Sequence, residues 1–279
     1  MIGVIGLGLI GGSMAKAINI NTDHSVYGYD ISESVSRKAV MVNAVEEVLT
    51  EEMLPDCDMT IIALYPEATL EFIRSHADKF KKGSIVMDCT GVKSVICREA
   101  EAIAADNGFV FIGGHPMAGL EHAGFEYAKR ALFDNASMVL VPARGTAIED
   151  VEKVKALCTS IGFSDIKITT PEEHDRMIAF TSQLAHVVSS AYIKSPTASG
   201  HKGFSAGSYK DMTRVAKLNE DMWTELFLDN PVNLSHEIEC IIERLSEYNE
   251  AIKNNDADGL RALLKDGRIR KEDIDKEVF

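Results

Sequence analysis

The stretch Gly6-Leu7-Gly8-Leu9-Ile10-Gly11 constrains this chain more than any other part of it. It fits G-x-G-x-x-G, follows the apolar run Ile2–Ile5, opens a helical pattern, and is followed by a second β-like run that ends at Asp30. Glycines are common and the spacing alone says little, but in this context each residue has a physical task. Gly6 permits a tight turn, Gly8 lets backbone approach a pyrophosphate, and Gly11 lets the helix pack closely on the sheet. The N–H groups of Leu9 and Ile10 then face an anion at the positive end of that helix. Asp30 would accept hydrogen bonds from ribose hydroxyls and repel a 2′-phosphate. No Arg follows before Arg37, which favours NAD over NADP. The competing reading is a Gly-rich turn in some other α/β protein.

Up to about residue 165, short β-branched runs alternate with helical patterns, the signature of a parallel sheet wrapped by helices. Seven strands are expected, over Ile2–Ile5, Ser25–Tyr29, Met59–Leu64, Ser84–Asp88, Phe109–Ile112, Ser137–Val141 and Ile166–Thr169. Pro66 suits the first turn of a helix over Glu67–Phe80, and Gly108 suits the C-cap of one over Ser94–Asn107. Leu64-Tyr65-Pro66 closes the third long strand at the sheet edge where the rest of a dinucleotide would lie. After Thr170-Pro171 the alternation stops and the chain reads as helix, broken at Ser195–Ser208 and Asp229-Asn230-Pro231. Met177–Ile193 is apolar but carries Ser182, Gln183, His186, Ser189 and Ser190. These make a bilayer span costly, so it reads as a buried helix. Leu234, Ile238, Ile241, Leu245, Tyr248 and Ile252 form a seam down one helix face that suits either core packing or a subunit interface. The expected fold class is α/β, an N-terminal Rossmann-type doubly wound sheet (1–165) followed by an all-helical C-terminal dimerisation domain (166–279).

Composition excludes other classes. The 279 residues carry a formal charge of −14, which repels nucleic acid and anionic membranes. Cys57, Cys89, Cys97, Cys158 and Cys240 form no C-x-x-C pair and no zinc-ligand spacing with His, so no metal site is expected and idle thiols in a reducing compartment are. The N-terminal run lacks the basic segment of a signal peptide, and a cytoplasmic location is expected.

Phe109–Gly113 leads into Gly114-His115-Pro116-Met117-Ala118-Gly119, so His115 falls at the C-terminal end of a strand, beside the expected cofactor. An imidazole there suits removal of a proton from a hydroxyl as hydride leaves the same carbon. Read in isolation, a His before Pro is more often a structural loop residue. Likewise, Arg214, one turn beyond Lys210 and after a Gly-rich loop, is either an anion grip or a solvated charge.

Gly6–Ser13, Gly114–Glu121, His174-Asp175, and Lys210-Asp211-Met212-Thr213-Arg214 with Trp223 beyond it resemble the prephenate/arogenate dehydrogenase family of tyrosine biosynthesis, nearly end to end. The resemblance implies oxidative decarboxylation of prephenate to 4-hydroxyphenylpyruvate, with NAD as cofactor, a small-molecule substrate and a homodimer. It implies His115 as the residue that deprotonates the C4 hydroxyl, and Arg214 as the cation holding a substrate carboxylate. His186 and Lys210 would contact the substrate, His186 at its side chain, Glu121 and Asp211 would pair with basic groups at the mouth, and Trp223 would wall the pocket. Two positions depart from the family pattern. Gly91 stands where many members carry a Ser that assists the catalytic His, with Thr90 as the expected substitute, and Gln183 stands near the substrate where members often have His. Arogenate dehydrogenase, a β-hydroxyacid dehydrogenase and a non-catalytic NAD sensor are the alternatives.

Overall fold

The computed structural model describes residues 1–278, with side chains described to residue 276. Residues Met1–Asn230 form one compact unit, and the chain from Pro231 onward forms a second. The first is built on β1 (Ile2–Ile5), β2 (Val26–Tyr29), β3 (Glu47–Val48), β4 (Met59–Ile62), β5 (Ile85–Asp88), β6 (Val110–Pro116), β7 (Ser137–Pro142) and β8 (Asp165–Ile168). Its sheet helices are α1 (Leu9–Asn21), α2 (Glu33–Met41), α3 (Pro66–His76), α4 (Ser94–Asn107) and α5 (Ile148–Ser160). The strand order is β3-β2-β1-β4-β5-β6-β7-β8. The order reverses direction at β1 and β4, which opens a crevice at their C-terminal ends where doubly wound folds bind ligands.

β1, β4 and β5 are buried along their whole length, as continuous apolar runs in a sheet covered on both faces must be. Alternation sorts their side chains into two cores. Val4, Ile61, Met87 and Ile112 join α1 and α5 on one face. Ile5, Ile62, Val86 and Phe111 join α3 and α4 on the other. Gly108 closes α4 with φ +80°, a left-handed conformation that a Cβ would strain.

Three expectations are corrected. The sheet has eight strands, because β3 is a two-residue edge strand too short for any periodicity. It is not wholly parallel. β6 and β7 are joined without a crossover helix, by a segment whose one regular element is the 3₁₀ turn Phe125–Tyr127, so β7 pairs antiparallel with β6. β8 then pairs parallel with β7 and carries the sheet to Ile168. Lastly, the stretch Met177–Ile193, read as a buried helix, comprises the end of α6 (Pro171–Ile178), a π turn at Ala179–Gln183 and α7 (Leu184–Ile193), and it exposes Met177, Phe180, Tyr192 and Ile193.

α8 (Gly207–Thr213) and α9 (Glu220–Leu228) complete the first unit. The second unit is a hairpin of α10 (Pro231–Lys253) and α11 (Ala257–Val278), in which the Tyr248 hydroxyl donates to the Leu263 carbonyl at 3.3 Å. The predicted seam is only partly covered there, since Leu245 and Ile252 are each 60% exposed. Among the described residues no helix is long and apolar enough to cross a membrane, and no cluster of side chains could hold a metal ion. Burial pushes the Cys57 thiol up to about 11 and that of Cys158 up to about 12, as expected of idle thiols.

Candidate active site

The glycine turn is built for close approach by an anion. Gly6 has φ +83°, and its amide donates to the Tyr29 carbonyl at 2.8 Å. A Cβ on Gly11 would lie 1.9 Å from the Gly6 carbonyl oxygen, so α1 can start here only with glycine. A Cβ on Gly8 would meet nothing within 4 Å, which leaves open space over the turn. No side chain caps α1 and no acid lies in its first turn, so the leading N–H groups, including those of Leu9 and Ile10, remain available to a ligand. Asp30 directly follows β2, with Oδ2 accepting from the Leu7 amide and Oδ1 from that of Ser32, both at 2.9 Å. Its carboxylate is thereby fixed to the turn, with lone pairs left for hydroxyl donors. Leu64 packs against the Gly6 turn, Tyr65 is exposed beside it and Pro66 is buried at the start of α3. These residues fit a dinucleotide.

His115 lies near the end of β6, half-buried. Its Nδ1 is 2.9 Å from Nε2 of His174, and His174 Nδ1 is 2.7 Å from Oδ1 of Asp175. Both partners come from α6, whose start is fixed by the Thr170 side chain accepting from the Glu173 amide. The Asp175 carboxylate accepts the Lys93 and Ser94 amides, each at 2.8 Å, and so closes the N-terminus of α4. Burial works against its ionisation, but the bonds from His174, Ser94 and Lys93 outweigh this and hold its carboxyl below the ordinary range. Burial, with the Lys93 ammonium beside them, lowers both imidazoles, His115 well below 6.5.

Beneath this chain lies a fully buried ion pair between Lys93 and Asp88. Asp88 also accepts from the Gly114 amide at 3.0 Å and from the Thr90 amide and hydroxyl. Thr90 is therefore corrected as the expected partner of His115. Its hydroxyl points into this buried network, bonded to Asp88, the Val92 carbonyl and Lys93. The position that faces His115 is Gly91, where a Cβ would stand 3.9 Å from His115 Nε2 and 3.2 Å from Leu226 of α9.

The remaining predicted residues divide. Arg214 and Glu121 form an exposed pair at 3.0 Å, joining the end of α8 to the loop after His115. His186 stacks on Trp223 with ring centroids 3.8 Å apart, and its Nδ1 meets the Ser182 carbonyl at 2.9 Å. Burial chiefly, and Arg214 secondarily, lower its pKa, so it is a neutral ring. Lys210 is exposed one turn before Arg214. Gln183 is corrected. It is buried, donating to the Leu226 carbonyl at 2.6 Å and accepting from Asn230 at 2.8 Å, so its amide is taken up by protein partners and holds helices together.

Three depressed imidazoles make stability depend on pH with a definite sign. Below about 6.5 the unfolded chain takes up protons that folded His115, His174 and His186 refuse, so the stabilisation present above 6.5 is lost on acidification towards their folded values. Each group can contribute a slope of at most about 1.4 kcal/mol per pH unit. Urea titrations between pH 8 and 5 should show midpoints falling below pH 6.5, and a flat profile would contradict the neutral assignment.

A glycine-turn sheet with a half-buried imidazole near the C-terminal end of another of its strands is the arrangement of a nucleotide-binding oxidoreductase. The family profile described as "Prephenate dehydrogenase, nucleotide-binding domain" matches residues 14–166, and "Prephenate dehydrogenase, dimerization domain" matches residues 170–266. The chain belongs to the prephenate dehydrogenase family. It is 28% identical over 278 residues to the prephenate dehydrogenase of Bacillus subtilis, covering 96% of this chain and 74% of that one. Among solved structures, prephenate dehydrogenase from A. aeolicus in complex with hydroxyphenyl propionate and NAD+ aligns with TM-score 0.84 and 28% identity, over 98% of this chain and 97% of that one. Synechocystis arogenate dehydrogenase aligns with TM-score 0.83 and 26% identity, over 98% and 99%. The first profile begins past the glycine turn, whose assignment therefore stands on its geometry.

Proposed function

We propose that this chain catalyses the NAD-dependent oxidative decarboxylation of prephenate to 4-hydroxyphenylpyruvate in tyrosine biosynthesis, in the cytoplasm. One observation carries the reading. His115 has Nδ1 occupied by His174, which leaves Nε2 without that partner on the side of Gly91. Gly6, Gly8, Gly11, the Leu9 and Ile10 amides and Asp30 would hold NAD, which when bound would supply the hydride acceptor for C4 of the ring. His115 Nε2 takes the C4 hydroxyl proton as that oxygen becomes a carbonyl. The electrons of the breaking carboxylate bond then flow into the ring, CO2 departs, and the C4 oxygen takes a proton back. Arg214 would exchange Glu121 for a substrate carboxylate, with His186 and Trp223 as a neutral wall. The test is NADH formation at 340 nm with NAD and prephenate. Silence with prephenate despite bound NAD would overturn the proposal.

Arogenate is the second reading, favoured by the near-complete alignment with the Synechocystis enzyme. It differs from prephenate by an ammonium in place of the keto group, and the ratio of rates with the two substrates decides between them.

Asp30→Ala should raise the KM for NAD at least about tenfold, the loss of roughly 1.4 kcal/mol of hydrogen bonding. It should also narrow the preference over NADP, since the repelling carboxylate is gone. An unchanged NAD/NADP ratio of kcat/KM would remove Asp30 from the ribose. We also propose a homodimer, supported by the exposed apolar residues Leu245, Ile252 and Leu264 on α10 and α11. Light scattering should give twice the chain mass, and a monomer at micromolar concentration would refute it.

A further inference from the structure

We propose that His174, oriented by Asp175, fixes the tautomer of His115 and takes up the positive charge that develops on it during turnover. The inference rests on the proposed role of His115 as base. The protons follow from the bonding. The Asp175 carboxylate receives two backbone amides at the start of α4, where the helix dipole also favours its charge, so it can only accept. His174 must then carry its proton on Nδ1, which leaves its Nε2 as an acceptor. The donor that meets this acceptor is Nδ1–H of His115, so His115 Nε2 is bare and turned to the reacting side. A neutral imidazole left to itself in water prefers the opposite tautomer, with the proton on Nε2. The chain of bonds therefore prepares the base.

The same bonds serve the protonated state. When Nε2 of His115 takes up the hydroxyl proton, its Nδ1–H donates to His174, and the charge can pass along that 2.9 Å bond to a ring paired with Asp175. The charged groups that face this pair are Lys93 ahead of α4, which opposes protonation, Asp175 of α6, which favours it at both rings, and Asp88 of β5, which favours it at His174. A carboxylate bonded directly to His115 would fix the tautomer too, but would raise its pKa strongly. Interposing a neutral ring transmits orientation and keeps most of that charge one ring away.

The direct test is 15N NMR of histidine-labelled enzyme without substrate, which reads the protonation of each ring nitrogen. His115 should show protonated Nδ1 and bare Nε2, and a wild-type His115 protonated on Nε2 would overturn the proposal whatever the variants do. Asp175→Asn can present its NH2 to His174, reverse both tautomers and protonate His115 Nε2. By analogy with the amide substitution in serine-protease triads it should lower kcat by about 10²–10⁴-fold with the KM for substrate within about threefold. His174→Phe should do the same with an unchanged Kd for NAD. A folded His174→Phe with kcat near wild type would overturn the relay alone if His115→Asn is inactive, whereas an active His115→Asn would overturn the base reading itself.

Discussion

His115→Asn should lower kcat by about 10²–10⁴-fold, the usual contribution of a positioned base, while NAD binds as tightly as before. The separation of effects follows from where the residue sits. The glycine turn and Asp30 belong to the β1–β2 side of the sheet, whereas His115 comes from β6, three strands from β1 in the order β1-β4-β5-β6. Its own side-chain hydrogen bond is to His174, not to the turn. The amide that replaces the imidazole can still accept at its oxygen but has no group that is neutral at pH 7 and ready to hold a proton. The residual rate should lose its dependence on a group titrating below 6.5, because on the proposed mechanism that limb belongs to His115. Isothermal titration with NAD and steady-state kinetics across pH 5–9 check both halves. A variant within tenfold of wild-type kcat would remove His115 from the chemistry.

What could be read from the sequence is what local spacing determines. The glycine turn, the strand that follows it, Asp30 and the end of α4 at Gly108 all depend on residues within about one βαβ unit, so their pattern is contiguous. The antiparallel β7 was not legible, because strand direction is set by whether a crossover helix lies between β6 and β7, and the sequence there shows only apolar runs and turns. β3 has two residues and no period at all. Among the site residues, Arg214 pairs with Glu121 and His186 stacks on Trp223, whereas Thr90 and Gln183 turn inward. Both are polar side chains beside the site whose direction is decided by a tertiary partner, Asp88 and Lys93 for Thr90, Leu226 and Asn230 for Gln183. His174 was visible only as half of a His-Asp dipeptide. A signal for it existed, in an adjacent imidazole and carboxylate early in a helix capped by Thr170-Pro171, but its partner is 59 residues away in sequence.

Lys93→Met should be the most destabilising single change near the site, costing about 3–5 kcal/mol, because it leaves the Asp88 carboxylate buried without its countercharge. Both side chains are fully buried, so water cannot replace the ammonium. Asp88 would keep the Gly114 amide and the Thr90 amide and hydroxyl as donors, which places the loss towards the lower end of that range. Adding Asp88→Asn should recover at least about 1 kcal/mol of it, since an amide carries no charge to strand, although Asp88→Asn alone should destabilise the wild type by stranding Lys93. Urea midpoints of the four proteins form a double-mutant cycle, and additive losses would show that the pair is not coupled. The same substitution bears on catalysis. Lys93 disfavours protonation of His115, with burial and His174 acting in the same direction and Asp175 opposing. In any Lys93→Met protein that remains folded, His115 should hold its proton to higher pH, and the acid limb of kcat/KM should move upward. An acid limb that stays in place or falls would mean that the buried ammonium supports only the fold, and that burial alone keeps the base neutral.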